Sequence, residues 1–194
     1  MQFKDYQKYR WFITSTKKLV IGGKNAEQNE ELLKTLSSKK QDYIIMHTAA
    51  PGSPFSVVLS SIPKVTESDI KESAIFTASF SRAWREEKKK VDIDIFKLSQ
   101  LYKTDKMKTG TWGVKKIDKR ISTPLELVLT KQKDKLKAVP EISVSSKKQI
   151  FIKIIPGKTD KTAILNKIQN YLPKNIKQDE ILSALPPGGI KIKK

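Results

Sequence analysis

The sequence predicts an α+β fold, a mostly antiparallel sheet with about four helices, and three observations carry the prediction. Short apolar runs are joined by tight turns. In Asp42–Phe55 (DYIIMHTAAPGSPF), Tyr43–Met46 passes through a stiff Pro51-Gly52-Ser53-Pro54 turn towards Val57-Val58-Leu59. Val91–Phe96 alternates as Val-Asp-Ile-Asp-Ile-Phe, the period of a half-buried strand. Between such runs lie segments that open on helix caps and repeat apolar residues at three- and four-residue spacing.

Tyr9–Ile13 and Leu19–Ile21 read as a hairpin with Thr14–Lys18 as its turn. Gly22-Gly23 ends the second strand, and Asn25 is placed to cap a helix running to about Leu36, with Gln28 at capping-box spacing. Leu32, Leu33 and Leu36 give that helix its apolar side. Pro63 marks a turn into a second helix, where Thr66 is the N-cap, Asp69 reaches back and Val65 staples onto Ile70. Its buried face runs through Ile70, Ala74 and Ala78 and widens to Phe76, Phe80, Ala83 and Trp84. Leu125–Thr130 and Ile142–Val144 read as strands, and Lys131–Ala138 (KQKDKLKA) as a solvated connection.

A small βαα unit follows. It comprises strand Gln149–Ile155, helix Asp160–Leu172, a short helix near Gln178–Leu185, and a stop at Pro186-Pro187-Gly188-Gly189 before a basic IKIKK strand or tail. The expected division is therefore residues 1–140 and 141–194, with the second unit free to pack on the first.

Lys and Arg number 39 against 20 Asp and Glu, a net charge of +19. A surplus of that size points to a polyanionic partner, since each neutralised phosphate releases condensed counterions. Lysine enrichment for solubility explains part of it, because 39 cations cannot all face phosphates. The absence of cysteine excludes disulfides and thiolate metal sites, and a single histidine argues against a His-based metal site or a Ser-His-Asp triad. No apolar segment approaches a membrane span, and the charged start MQFKDYQKYRW lacks the apolar core of a signal peptide. The expectation is a cytoplasmic protein without membrane contact, cofactor or metal.

Several segments together carry a family resemblance. Ile21-Gly22-Gly23-Lys24 precedes a helix with Gln28-Asn29-Glu30, and His47 leads into the glycine-containing Pro51–Pro54 loop. An alanine-rich helix from Ala74 ends in Ser81-Arg82-Ala83-Trp84, and Thr109-Gly110-Thr111-Trp112-Gly113-Val114 follows. In this order they resemble the NFACT-R domain, the RNA-binding module of the NEMF/RqcH ribosome-associated quality-control proteins, over roughly Tyr9 to Glu141. The resemblance implies a free-standing short form that binds RNA. It carries nothing over from the Asp-Arg motif domain, helix-hairpin-helix module and long coiled coil of the long members, which 194 residues do not accommodate.

Four clusters are candidate RNA contacts. Gly22, Gly23 and Lys24 at a helix start suit an anion, with φ > 0 at the glycines as the purely structural alternative. His47, Gly52 and Ser53 lie in or beside a loop stiffened by two prolines, where backbone N–H groups can meet a phosphate or ribose. His47 reads equally as a hydrogen-bonded structural residue at a strand end. Lys103, Lys106, Lys108, Lys115, Lys116, Lys119 and Arg120 surround Trp112, a basic stretch around an aromatic that suits single-stranded RNA. The alternative makes Trp112 a core plug amid solvated lysines. Arg82 and Arg85 add peripheral contacts at a helix end.

Pro156-Gly157-Lys158-Thr159 before a helix has the end of a P-loop but not its leading glycine, whose place Ile152 takes. Asp92 and Asp94 read as the solvent face of a strand rather than a metal pair.

The expected function is non-enzymatic binding of tRNA or ribosomal RNA on the large ribosomal subunit. With about five phosphates neutralised, the log–log salt slope would be roughly −3.5 to −4.5. The alternatives are an adaptor docking on the ribosome or an acidic partner, and an RNA-processing enzyme using His47 and Ser53. The sequence leaves the oligomeric state open.

Overall fold

The structure, a computed structural model, describes residue 3 and residues 5–193. Met1, Gln2 and Lys4 of the charged start and Lys194 of the terminal IKIKK lie outside the described residues. The fold is α+β with antiparallel sheets, as the sequence predicts. A six-stranded sheet is built from β1 (Arg10–Ile13), β2 (Leu19–Gly22), β3 (Ile44–Thr48), β4 (Ser56–Val58), β5 (Lys90–Lys97) and β8 (Lys119–Pro124), in the order β1-β2-β4-β3-β5-β8. β6 (Leu101–Tyr102) and β7 (Gly113–Val114) form a short separate ladder.

One cross-strand row explains the register of the large sheet: Trp11, Ile21, Val57, Ile45 and Phe96 are successive partners from β1 to β5. Helix α1 (Ala26–Ser37) covers this row with Leu32, Leu33 and Leu36. Phe12, Val20, Met46, Val58, Ile93 and Ile95 belong to the other core, under helix α2 (Glu67–Ser79). A one-residue slip would turn both sets to the wrong faces, so burial fixes the pairing.

Helix α2 is buried nearly all round from Glu72 to Ser79, because a second sheet lies beyond it. That sheet has the order β10-β9-β11-β12, from β9 (Leu127–Gln132), β10 (Lys135–Val139), β11 (Ile152–Thr159) and β12 (Ile190–Lys193). α4 (Lys161–Gln169) and α5 (Gln178–Ala184) pack beside it. The expected division at residue 140 thus runs through this sheet, two strands coming from each side. Among the described residues no helix is long and apolar enough to cross a membrane.

Four elements differ from the sequence expectation. KQKDKLKA is not a solvated connection but the β9–β10 hairpin, turned by Lys133 and Asp134 at positive φ (49° and 59°). Ile142–Val144 is not a strand; Glu141–Ser143 forms a 3₁₀ turn. The second helix stops at Ser79, and a separate α3 (Arg82–Arg85) begins where the Ser81 hydroxyl caps Ala83 N. Gly157-Lys158-Thr159 lies within β11 rather than in a loop, and Asp160 caps α4 through Thr162 N.

The β1–β2 turn is locked onto α2. Thr14 Oγ1 donates to Asp69 Oδ1 at 2.6 Å, Lys18 Nζ pairs with Asp69 Oδ2 at 3.0 Å, and Ser15 N donates to Glu72 Oε2 at 2.8 Å. The predicted capping box is present, with Thr66 N donating to Asp69 Oδ2. Burial opposes the Asp69 charge, but hydrogen bonds from Thr14, Thr16 and Thr66 outweigh it and hold the carboxyl well below the usual range. Asp69→Ala is expected to cost about 2–4 kcal/mol, because it strands Lys18 and two hydroxyls together with the cap. Urea unfolding should show a lower midpoint at an unchanged m-value.

Candidate nucleic-acid interface

Three sequence-distant segments meet at the N-terminal end of α1, and the Gln28-Asn29-Glu30 run joins them. Gln28 Oε1 accepts from Lys24 N at 3.0 Å, one residue before the usual partner of a capping box, while Asn25 Oδ1 accepts from Gln28 N at 2.9 Å. Buried Asn29 accepts from Phe55 N at 3.2 Å through Oδ1, tying the Pro51–Pro54 loop to the helix. A Cβ on Gly23 would come 2.3 Å from that same Oδ1. Neither Gly22 nor Gly23 has positive φ. Close packing, not a left-handed conformation, requires glycine at Gly23.

Glu30 holds the third segment. Its Oε2 accepts from Lys103 Nζ at 2.9 Å, Gly110 N at 3.0 Å and Trp112 Nε1 at 3.2 Å, and its Oε1 pairs with Lys34 at 3.1 Å. Burial opposes this charge too, yet the bonds from Lys103, Gly110 and Lys34 bring the carboxyl down to about 2. Trp112 is therefore neither a core plug nor a free platform. Its indole nitrogen is anchored inward, the Lys103 ammonium lies 5.8 Å from its ring centroid, and the ring is half-buried.

A groove of about 510 Å³ lies between these segments and α3. It brings together Gly23, Lys24, His47, Gly52, Ser53, Arg82, Arg85 and Trp112 from the sequence candidates. Gly52 sits at φ +114°, and its carbonyl accepts from Arg82 N at 2.7 Å, so the proline loop rests on the start of α3. Ser53 Oγ accepts from Thr48 N at 2.9 Å. Among the described residues the N–H groups of Gly52 and Ser53 have no partner. His47 donates through Nδ1 to the Thr48 carbonyl at 2.7 Å, and its ring lies tilted against Phe55 with centroids 4.6 Å apart. Burial pushes the His47 imidazole down, against the Thr48 hydrogen bond, nearby Asp94 and the Ser53 backbone. It is a hydrogen-bonded structural residue and a groove wall at once.

The other candidates lie elsewhere. Gly22 is buried in β2, beneath the loop. Lys103 is engaged by Glu30, Lys119 pairs with Glu67 at 3.2 Å, and Arg120 binds Asp94 through both carboxylate oxygens. Asp94 is therefore buried and ion-paired, while Asp92 keeps the exposed position expected of both. Lys106, Lys108, Lys115 and Lys116 are exposed outside the groove lining.

Sequence reasoning did not single out Asn29, Glu30 or Arg10 as site residues. The first two were visible within the Gln-Asn-Glu run. Arg10 gave one signal, a cation inside the apolar strand YRWFI; its guanidinium lies 4.8 Å from the Phe80 ring centroid and lines the groove.

A concave groove rimmed by Arg10, Lys24, Arg82 and Arg85, none in an ion pair among the described residues, is the make-up of a polyanion-binding domain. Residues 8–116 match the model of the NFACT protein RNA binding domain, more than half of the sequence, and the chain belongs to that family. It is 29% identical over 201 aligned residues to the archaeal Rqc2 homolog aRqcH of Methanocaldococcus jannaschii, covering 98% of this chain and 30% of that protein. It is 30% identical over 80 residues to the ribosome quality control complex subunit NEMF homolog of Drosophila melanogaster, covering 41% of this chain and 8% of that protein. The chain thus spans less than a third of the length of these curated relatives. The C-terminal part of the fibronectin/fibrinogen-binding protein from Streptococcus suis shares the fold, with a TM-score of 0.54 at 19% identity over 64% of this chain and 48% of that one.

Proposed function

We propose that this protein is a non-enzymatic, cytoplasmic RNA-binding module that engages tRNA or ribosomal RNA on the large ribosomal subunit, in ribosome-associated quality control. The observation that carries the reading is the groove itself. Arg10, Lys24, Arg82 and Arg85 lack carboxylate partners among the described residues, and Gly52 and Ser53, whose N–H groups are unused among those residues, line the same groove as a half-exposed tryptophan. Cations neutralise phosphates, a preorganised loop binds at low entropic cost, and an aromatic face accepts a base. The names of the archaeal and fly relatives support the ribosomal setting.

An enzyme using His47 and Ser53 fits the geometry poorly. Ser53 Oγ bonds the backbone of Thr48 and Pro54, His47 Nδ1 bonds Thr48, and Asp94, opposite His47 in the ladder, is held by Arg120. A nucleophile, a base and an orienting acid need to hydrogen-bond one another.

The test is binding of the protein to tRNA, large subunits and matched duplex DNA across a salt series. Neutralisation by the four groove cations predicts a log–log slope of roughly −2.8 to −3.6, shallower than the sequence alone suggests. Preference for RNA over the duplex is expected. Equal, weak binding to all polymers would sink the reading, and ribosome association that survives nuclease would favour docking on a protein.

A further inference from the structure

β1 is an edge strand of the six-stranded sheet, and the β9–β10 hairpin of the other sheet folds against it. The Gln132 amide closes the junction, accepting from Ile13 N at 2.7 Å and donating to Ile13 O at 2.8 Å. Beside it lies a cavity of about 530 Å³ with Trp11, Phe76 and Leu136 in its wall. Arg10 from β1, Lys24 from the β2–α1 turn and Lys137 from β10 line it together. The Lys137 ammonium sits 4.1 Å from the centroid of the Trp11 ring.

Among the described residues none of these three side chains has an ion pair or a hydrogen bond. The remaining charges on the cavity do little to offset them. Lys133 and Lys135 at the exposed hairpin turn balance Asp134 and Glu180 in formal charge, and Glu180 Oε1 of α5 accepts from Leu136 N at 2.7 Å. Tyr9 adds a phenol whose burial pushes it up, so it stays neutral. Arg10 and Lys137 are half-buried and Lys24 is exposed at the rim; half-buried cations are ordinarily paired, and three lining one space repel one another unless an anion lies between them. Burial pushes Lys137 down to about 8, and the charges of Lys24, Arg10 and Lys135 add to that in smaller measure. Burial likewise pushes Arg10 down.

We infer that this cavity is a pocket for a terminal phosphate, the phosphomonoester of an RNA end or of a mononucleotide, held by Arg10, Lys24 and Lys137. A phosphodiester brings one negative charge, whereas a terminal phosphate brings about −1.5 to −2 near neutral pH and three acceptor oxygens. That charge and geometry match three converging donors, with the guanidinium able to bind two oxygens at once. The cavity shares Arg10, Lys24 and Phe80 with the RNA groove, so a strand lying there would have its end within reach. Only the RNA-end source rests on the groove reading; the mononucleotide source does not.

The experiment uses the full chain with ¹³C-labelled lysine side chains, following the Lys137 Nζ-adjacent resonance as inorganic phosphate and then adenosine monophosphate are titrated. Lys137 is expected to become more basic as either anion binds, and Arg10→Gln should abolish the response. In parallel, matched RNA oligomers carrying a 5′-phosphate, a 3′-phosphate or only hydroxyl ends are compared by fluorescence anisotropy. At least one phosphorylated end should bind about tenfold tighter than the hydroxyl form, and Lys137→Met should remove that advantage alone. A Lys137 response without any RNA binding supports the pocket with a mononucleotide as its source and overturns the groove reading. RNA binding that ignores end phosphates, with no Lys137 response to millimolar phosphate or adenosine monophosphate, overturns the pocket and leaves the groove. A response that persists in both Arg10→Gln and Arg10→Lys would also overturn it, as general charge screening.

Discussion

Replacing Glu30 by alanine is expected to free the segment around Trp112 and to weaken RNA binding, with little change in the rest of the fold. One carboxylate receives Lys103, Lys34, the Gly110 N–H and the Trp112 indole, so its loss leaves two N–H donors without this acceptor and a half-buried ammonium with no counter-charge, held only by the Lys108 and Thr111 carbonyls. Breaking a partly buried pair in this way costs about 2–4 kcal/mol, and here the cost falls on one loop. Hydrogen exchange at Gly110 and the indole resonance of Trp112 report the release directly. If Trp112 stacks on a base, affinity should fall about 10- to 100-fold, the worth of one such stack. Glu30→Gln keeps the acceptor for the indole and loses the charge, so it should fall between wild type and alanine. The pH dependence follows from the depressed carboxyl. The clamp is at full strength above the ordinary carboxylate range and is lost as pH falls towards about 2, while the core beneath persists. A loop that stays protected in Glu30→Ala would mean that its contact with α1 does not depend on the ion pair.

Five strands of the six-stranded sheet were readable from apolar or alternating runs, but β8, the mostly exposed Lys-Arg-Ile-Ser-Thr-Pro, was not; α1 and α2 were readable because their caps are explicit at Asn25 and Thr66. The β9–β10 hairpin was not. Its turn uses Lys133 and Asp134 at positive φ rather than an Asn-Gly pair, and its only inward side chains in KQKDKLKA are Leu136 and Ala138. The break between α2 and α3 was hidden for a related reason: Ser81 caps a new helix only because Gly52, thirty residues earlier, takes the Arg82 N–H. Which cations are free was the least legible property. The partners that occupy Lys103, Lys119 and Arg120 lie 73, 52 and 26 residues away, so a local run of lysines looked like a surface when much of it was already paired. Conversely, Arg10 and Lys137 looked like ordinary strand and linker residues, and only the meeting of two sheets leaves them facing each other. Motif residues marked the right place, but Gln28, Asn29 and Glu30 act there by holding other segments together.

Charge reversal separates the two surfaces that compete for the RNA. Arg82→Glu with Arg85→Glu removes two of the four groove cations and sets two carboxylates where phosphates would lie. Each lost neutralisation takes about 0.7–0.9 from the log–log slope, so the slope should fall by about half and affinity at low salt by about a hundredfold. Stability should move by no more than about 0.5 kcal/mol, because both side chains are exposed and their stems beside Gly52 and Gly188 are retained in glutamate. Lys115→Glu with Lys116→Glu makes the same change in formal charge on the basic stretch outside the groove. Long-range attraction alone is indifferent to position within about a Debye length and would weaken both variants alike. A groove that seats phosphates beside Gly52, Ser53 and Trp112 makes the arginine pair several times the more damaging, with a larger loss of slope. The reverse order would place the RNA on the Lys103–Arg120 face and leave the groove as a structural seam between the proline loop and α3.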